Sequence, residues 1–327
     1  MFPLEKDWRR ASNLNQWLKG VSGLGKVYFK FPRDELYPCL PIFHRNSLIF
    51  PLEGTSNCTI SEVKLAKELG AKLILLDGYF YTEGTEVLSE YLQMLQSIRN
   101  KSGDPAQRQL LKLLSNSIIG KFFQKNLGIN LQEVQKYAWE HQVPFEEALK
   151  LEGVNFGDGE VTVGSCFYPE WYALILGYAR ASISRIARKH QALIISSDSF
   201  VSVDELAPEF SQEGITYRLK DSGKLVSYRT RFYRVGQKLA HHAVHNREAG
   251  REVLKNFLED ESFRYSYQRI MHLKESWRDK KPFGCRVLKP NMSVSLRFDH
   301  KRRLLEDGTT VAWKSVEERE KFLGMNE

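Results

Sequence analysis

The stretch Asp104-Pro-Ala-Gln-Arg-Gln-Leu-Leu-Lys-Leu-Leu-Ser-Asn-Ser-Ile-Ile-Gly-Lys121 decides how the rest of the chain is read. Asp104 is a good N-cap, Pro105 suits the first helical position and Gln107 stands at the third. The pattern predicts a helix running to Asn126, with Gly128 just past its end. Most of that helix is apolar, yet Lys112, Asn116 and Gly120 recur at i, i+4 and i+8 and share one face. Ser117 borders the face and Lys121 lies beside it. A lysine so placed can hold a triphosphate, an asparagine can hydrogen-bond a base or sugar, and a glycine admits a base pair closely. A solvated stripe on an ordinary core helix has the same spacing.

The second informative stretch is Ala192-Leu-Ile-Ile-Ser-Ser-Asp-Ser-Phe-Val-Ser-Val203. Two apolar runs flank four small polar residues, the pattern of a β-hairpin with Asp198 at its tip. A carboxylate there is rigidly presented and water-accessible, which suits Mg²⁺, an ion that takes few protein carboxylates together with substrate phosphates. Asp is also simply a good turn residue. Working outward, Lys26–Phe31 alternates like a half-buried strand, and Ile60–Gly70 reads as a helix capped by Thr59 and Glu62. Lys72–Leu76 reads as a strand ending in an Asp77-Gly78 turn. Thr85–Arg99 is an amphipathic helix, Leu131–Leu151 a helix broken at Pro144, and Glu160–Cys166 a strand. Pro169–His190 is a long helix with charges that suit its dipole. Leu225–Val244 reads as paired strands around Val235-Gly236, with helices and loops beyond. The fold class is α+β.

Composition narrows the function classes. Of the 327 residues, 42% are hydrophobic and 27% charged, which excludes disordered and fibrous folds. Apolar runs such as Leu73–Leu76 are far too short to cross a bilayer, and Met1–Trp8 lacks an apolar leader core, so a cytoplasmic protein is expected. The net charge is +8, but from Arg218 onward 25 Lys and Arg face 15 Asp and Glu, so the basic excess sits in the last third. A basic module of this kind suits a phosphate backbone or a solvated surface. Cys39, Cys58, Cys166 and Cys285 form no metal-binding spacing, and reduced buried thiols are expected. His241 and His242 would point to opposite faces of a strand, which argues against a metal site with His245.

Taken in order, these features resemble the polymerase domain of family B DNA polymerases, in particular the protein-primed, organellar and viral branch. Lys112–Gly120 fits the fingers motif K-x3-N-S-x-Y-G, with Ile119 in place of Tyr. Ser196-Ser197-Asp198-Ser199 fits the palm motif D-T-D-S, with Ser196 for its first Asp and Ser197 for its Thr. Pro169-Glu170-Trp171 and Ala179-Arg180-Ala181 resemble the intervening palm helix. Arg231-Phe232-Tyr233 resembles the primer-gripping K-x-Y motif, and Phe298–Arg303 with Asp307-Gly308 resembles the thumb. The resemblance implies a partial palm over 1–84 and 158–217 (an antiparallel sheet with packed helices), helical fingers over 85–157, and a mixed, basic thumb over 218–327. It implies that Lys112 contacts nucleotide phosphates, that Asn116, Ser117 and Gly120 line the nascent base pair, and that Asp198 holds catalytic Mg²⁺. Arg231 and Tyr233 would position the primer end, and Lys301, Arg302 and Arg303 would hold duplex phosphates. Primer-template DNA and deoxynucleoside triphosphates are the implied partners.

The family's first catalytic motif, D-x-x-S-L-Y-P, has only an imitation here. In Asp34-Glu35-Leu36-Tyr37-Pro38 the Asp stands two residues too close to the Tyr. Leu40-Pro41 and Pro51–Thr55 resemble the segment that follows the motif, so Met1 is expected to lie after it, with the exonuclease domain further upstream. Two Mg²⁺ ions held by one protein carboxylate would be poorly placed. Asp77 is the other carboxylate at a strand end, with a turn role as the alternative. The expectation is a C-terminal polymerase portion that needs a separate chain carrying the missing motif and exonuclease. A catalytically inactive DNA-binding remnant and an unrelated basic protein are the alternatives. The basic last third predicts that primed DNA binds with a steep salt dependence, each phosphate contact adding roughly −0.9 to the slope of log K against log salt. A fluorescence-anisotropy titration across salt concentrations checks this, and a flat slope would remove backbone contacts as the source of binding.

Overall fold

The structure, a computed structural model, describes residues 8–45, 47–126, 131–144, 147, 162–163, 166–196, 199–212, 215–229, 232–236, 238–241, 253, 255–256, 259–260, 264–270, 288–295, 300–307 and 309–324. It packs as two compact units. The first comprises Met1–Phe122, Tyr168–Ser222 and Phe298–Glu327; the second comprises Phe123–Phe167 and Gly223–Arg297. No described helix is long and apolar enough to cross a membrane.

The first unit is built on an antiparallel sheet. Its elements begin with β1 (Arg9–Arg10), α1 (Leu14–Leu18) and β2 (Ser22–Lys30). A small hairpin follows, β3 (Ile42–His44) with β4 (Ser47–Ile49). Then come β5 (Glu53–Thr59), α2 (Ile60–Glu68), β6 (Lys72–Tyr81), α3 (Ser89–Lys101) and α4 (Pro105–Lys121). The sheet order is β1-β6-β2-β5. The alternation in β2 is realised: Val27, Phe29 and Phe31 are buried, while Lys26 and Lys30 face water. They join Trp17, Ile60, Val63 and Ala66 in one core. Trp17 Nε1 donates to Tyr79 O at 3.0 Å, and its ring lies so near β2 that a Cβ at Gly25 would come within 2.7 Å of it.

Asp77-Gly78 is not a turn. β6 runs through it to Tyr81, with Asp77 opposite Lys26 and Leu75 opposite Val27. Leu76 is left over as a β-bulge, so the strand bends without ending. Arg10 holds the Asp77 carboxylate at 3.0 Å. Pairing with β2 on one side and β1 on the other outweighed the local turn preference.

The α2 capping box forms as read, with Thr59 and Glu62 satisfying each other's backbone N–H. Glu62 also has a long-range role. It is wholly buried, and its Oε2 accepts from Thr59 N and Oγ1 at 2.9 Å each. Its Oε1 accepts from Arg180 Nε at 2.7 Å. Arg180 belongs to the long helix Pro169–Lys189, one residue shorter than expected. Gly177 lets that helix close on α2: a Cβ there would stand 2.3 Å from Thr59 Oγ1. The same helix reaches buried Glu35 through Arg188 and exposed Glu68 through Arg185, the latter at 2.9 Å. Farther on, Trp313 Nε1 and Arg319 Nε both donate to His300 O, at 2.9 and 2.8 Å. Leu52 N and Glu53 N donate to Trp313 O and Lys314 O, fastening this segment to the start of β5.

In the second unit the helix Leu131–Glu140 stops short of Pro144, and Lys125–Asn126 pairs with Thr162–Val163. Leu225–Arg229, Phe232–Val235 and Lys238–His241 form a three-stranded antiparallel sheet. Gly236, at φ 54°, supplies the left-handed turn expected beside Val235, and its N–H donates to Lys224 O at 3.1 Å. Arg264–Ile270 and Leu288–Ser295 pair as strands where helices and loops were expected. The alternating Tyr265 and Tyr267 carried that signal.

Removing a partner from a buried ion pair leaves an uncompensated charge. Glu62→Ala should therefore destabilise the first unit by about 3–5 kcal/mol. Gly177→Ala should cost about 1–3 kcal/mol through overpacking. Urea unfolding followed by circular dichroism measures both, and midpoints unchanged from the parent would contradict this account.

Candidate nucleotide and nucleic-acid site

Helix α4 begins as its sequence dictates. The Asp104 carboxylate accepts from Ala106 N at 2.9 Å and Gln107 N at 3.3 Å, and Pro105 occupies the first turn. The helix ends at Lys121, five residues before the expected Asn126. There Phe122 takes over: its carbonyl accepts from Tyr168 N at 3.0 Å, and its ring meets Trp171 edge-on at 5.3 Å. The end of α4 is thus tied to the start of the Pro169–Lys189 helix.

α3 and α4 pack as a helical hairpin with Leu95 and Leu111 buried. Lys112, Asn116 and Gly120 lie on the exposed side of α4, as the i, i+4, i+8 spacing required. Among the described residues neither the Lys112 nor the Asn116 side chain has a partner. A Cβ built on Gly120 meets no atom within 4 Å, so the face is open there. Ser117 differs: its Oγ donates back to Leu114 O at 2.8 Å, so its hydrogen is committed to the helix.

The expected hairpin is present in its two strands. Ile194–Ser196 and Ser199–Val201 pair antiparallel, Ser196 opposite Ser199. Ser199 Oγ donates to Ser196 O at 3.0 Å. The hairpin follows the long helix directly and is tied to it through Ala192 N, which donates to Ala187 O at 2.7 Å, and through Ser202, whose hydroxyl donates to His190 O. Asp198 itself, with the metal role assigned to it, lies outside the described residues. Arg231 does too, as do Cys285, His242 and His245. Tyr233, in the second unit, sits half-buried on Phe232–Val235 between Ser227 and Ala240.

The basic triplet divides by role. Arg302 donates to Thr310 Oγ1 at 2.9 Å, Thr310 O at 3.1 Å and Leu36 O at 2.9 Å. Burial lowers its pKa from the usual guanidinium value. Its fork is therefore occupied by the Thr310 hydroxyl and carbonyl and the Leu36 carbonyl. Arg303 is exposed and 3.8 Å from Glu318, and Lys301 is half-buried. Nearby, the Thr309 hydroxyl and N–H hold the Asp307 carboxyl below its ordinary range.

The two alternative carboxylates stand apart in the fold. Asp77 engages Arg10, and Asp34 is exposed beside Glu35, which accepts from Tyr37 N at 2.8 Å. Among the described residues no three His, Cys, Asp or Glu side chains gather as a metal-binding group. Cys39 and Cys58 are buried free thiols whose pKa values burial pushes up, while Cys166 is exposed. A cleft of about 480 Å³ escaped the sequence reading. It opens over Gly25, Lys26, Asn57, Asp77 and Tyr79, with Ala173 and Arg180 on its helical wall. Four separated segments build it, and Thr59, Asp77 and Arg180 had each stood out in the sequence for other reasons.

Comparison with known proteins finds relatives in sequence and in fold. Residues 2–137, which include all of α4, match the family of DNA polymerases type B, organellar and viral. The primer-independent DNA polymerase PolB of Escherichia coli is 30% identical over 128 residues, 36% of this chain and 15% of the relative. Phi29 DNA polymerase, solved with primer-template DNA and incoming nucleotides, superposes with a TM-score of 0.58 at 14% identity. That superposition covers 89% of this chain and 54% of the other. The same polymerase with primer-template DNA alone gives 0.53 at 12% identity over the same shares. The chain thus spans about half of the solved polymerase and a smaller part of the curated relative. In sequence over its first 137 residues and in fold over most of its length, it resembles the family B DNA polymerases of the protein-primed, organellar and viral type.

Proposed function

We propose that this chain is the C-terminal portion of a DNA-directed DNA polymerase, performing template-directed nucleotidyl transfer. The observation that carries the reading is the open face of α4. Lys112, Asn116 and Gly120 are exposed, with no partner among the described residues, in a segment that matches the polymerase family. In this reading 1–84 and 158–217 are palm, 85–157 fingers and 218–327 thumb. Lys112 draws the nucleotide's phosphates to the helix, Asn116 meets the base or sugar, and Gly120 leaves room for the base pair. Ser117 shapes the same face through its backbone. Tyr233 and Arg231 steady the primer end. Arg303 and Lys301 meet duplex phosphates, while Arg302 acts by holding the thumb segment to Leu36 O.

Asp198 is the carboxylate that this reading offers to Mg²⁺. Bound there, Mg²⁺ would activate the primer oxygen and stabilise the leaving pyrophosphate. Two ions need a second carboxylate besides Asp198. In this reading a segment with the D-x-x-S-x-Y-P motif supplies it. Primer-template DNA and nucleotides are bound in the solved Phi29 complex, which supports the same partners here.

A primer-extension assay with Mg²⁺ and all four nucleotides tests the proposal. The chain alone should extend poorly, and adding a polypeptide with the D-x-x-S-x-Y-P motif should restore synthesis. Asp198→Asn should abolish what is restored. Lys112→Ala should raise the nucleotide KM at least about tenfold, roughly 1.4 kcal/mol, while shifting stability by less than about 0.5 kcal/mol because the side chain is exposed. DNA binding that never yields synthesis with any such segment would favour the inactive remnant.

A further inference from the structure

Strand β6 has one paired edge and one nearly bare edge. β2 pairs with it from Lys72 to Tyr81. On the other side β1 meets only Tyr79 and Phe80, and Ala11 N donates to Gly78 O at 2.8 Å. Among the described residues no strand or backbone group reaches the outer edge between Lys72 and Asp77. Proteins usually guard such an edge with proline, inward charges or a covering element. Here Leu73-Ile-Leu-Leu76 lies between one Lys and one Asp, with Ile74 and Leu76 58% and 51% exposed.

The register makes this edge self-complementary. Lys72 lies opposite Lys30, Ile74 opposite Tyr28 and Asp77 opposite Lys26. Lys26, Tyr28 and Lys30 occupy alternate positions of β2 and share a face, so Lys72, Ile74 and Asp77 share one as well. The bulge at Leu76 supplies the odd residue that makes this so. Ile74 is therefore two ladder steps from Lys72 in one direction and two from Asp77 in the other.

We propose that this edge pairs with a second copy of the chain, antiparallel, about a two-fold axis through Ile74. Each Lys72 then faces Asp77 of the other copy on the same face, Leu73 faces Leu75, and Ile74 packs on its own counterpart. The match is isologous, as closed dimers require. Asp77 has room for a second cation, since its side chain is 45% exposed beside Arg10. Sliding the register by two residues loses both Lys–Asp pairs, so the charges select the one centred on Ile74. An edge contact this short makes a weak dimer, on the order of micromolar or looser, because it lies below standard interface size.

Directly opposed residues of an antiparallel pair have Cα atoms about 4.5–5.5 Å apart, within disulfide range. Ile74→Cys in a Cys166→Ser background should give a disulfide dimer under mild oxidation on a non-reducing gel. Lys72→Cys, four rungs from its own counterpart, should not, and the Cys166→Ser parent sets the background. In sedimentation, the natural chain should dimerise with rising concentration. Ile74→Lys, which opposes two like charges at the axis, should weaken that association at least about tenfold without lowering the melting temperature. A chain that stays monomeric to high concentration, cross-linking equal in the two cysteine variants, or a dimer indifferent to Ile74→Lys would each overturn the proposal.

Discussion

The first unit depends on one carboxylate. Glu62 is wholly buried, an arrangement that is tolerable only because three donors surround it. Two come from Thr59, at the junction of β5 and α2, and the third from Arg180 on the long helix. One side chain therefore fixes where a strand ends, where a helix starts and where a second helix crosses. Gly177 makes the same junction sterically possible. The hairpin that follows the long helix inherits its position from this junction.

The ion pairs along that helix differ in weight. Arg185–Glu68 is bidentate, but Glu68 is 56% exposed, so the pair counts for little against water and salt. Arg188–Glu35 has one buried member, and Tyr37 N–H shares the same carboxylate. Tyr37 in turn reaches Ala192 O at 3.4 Å, just before the hairpin. The segment that imitates the first catalytic motif thus serves here as packing for the helix end. Its Glu is turned inward to arginine, and its Asp stands outside on the loop.

What the sequence revealed was local, and what it hid was distant. The caps at Thr59 and Asp104 were legible because donor and acceptor lie within three residues. The shared face of Lys112, Asn116 and Gly120 was legible because helix geometry alone decides it. Asp77-Gly78 misled because a turn preference of this kind is small beside a ladder to β2 and an ion pair with Arg10, 67 residues away. The phosphate role of Arg302 came from the family resemblance, and its acceptor Leu36 O lies 266 residues off, where no pattern in the chain could indicate it. In Arg264–Ile270 the alternating Tyr265 and Tyr267 marked a strand, but its partner Leu288–Ser295 lies beyond the reach of such a local pattern.

Phe122 and Tyr168 bring these points together. The chain leaves the first unit after Phe122 and returns at Tyr168. Those two residues are hydrogen-bonded to each other, and both rings pack on Trp171. This exit and this re-entry are therefore fastened to each other within the first unit. The same clamp joins the C-terminal end of α4, two residues past Gly120, to the first turn of the long helix. That helix is anchored at its middle by Glu62 and at its end by Glu35, and the hairpin hangs from it. The open face of α4 and the strands flanking residues 197–198 are thus mounted on one framework, through side chains far apart in sequence. The site proposed above, with a phosphate held at one point and a metal-binding carboxylate at another, would need such a framework, because reacting groups misplaced by about 1 Å lose orders of magnitude in rate.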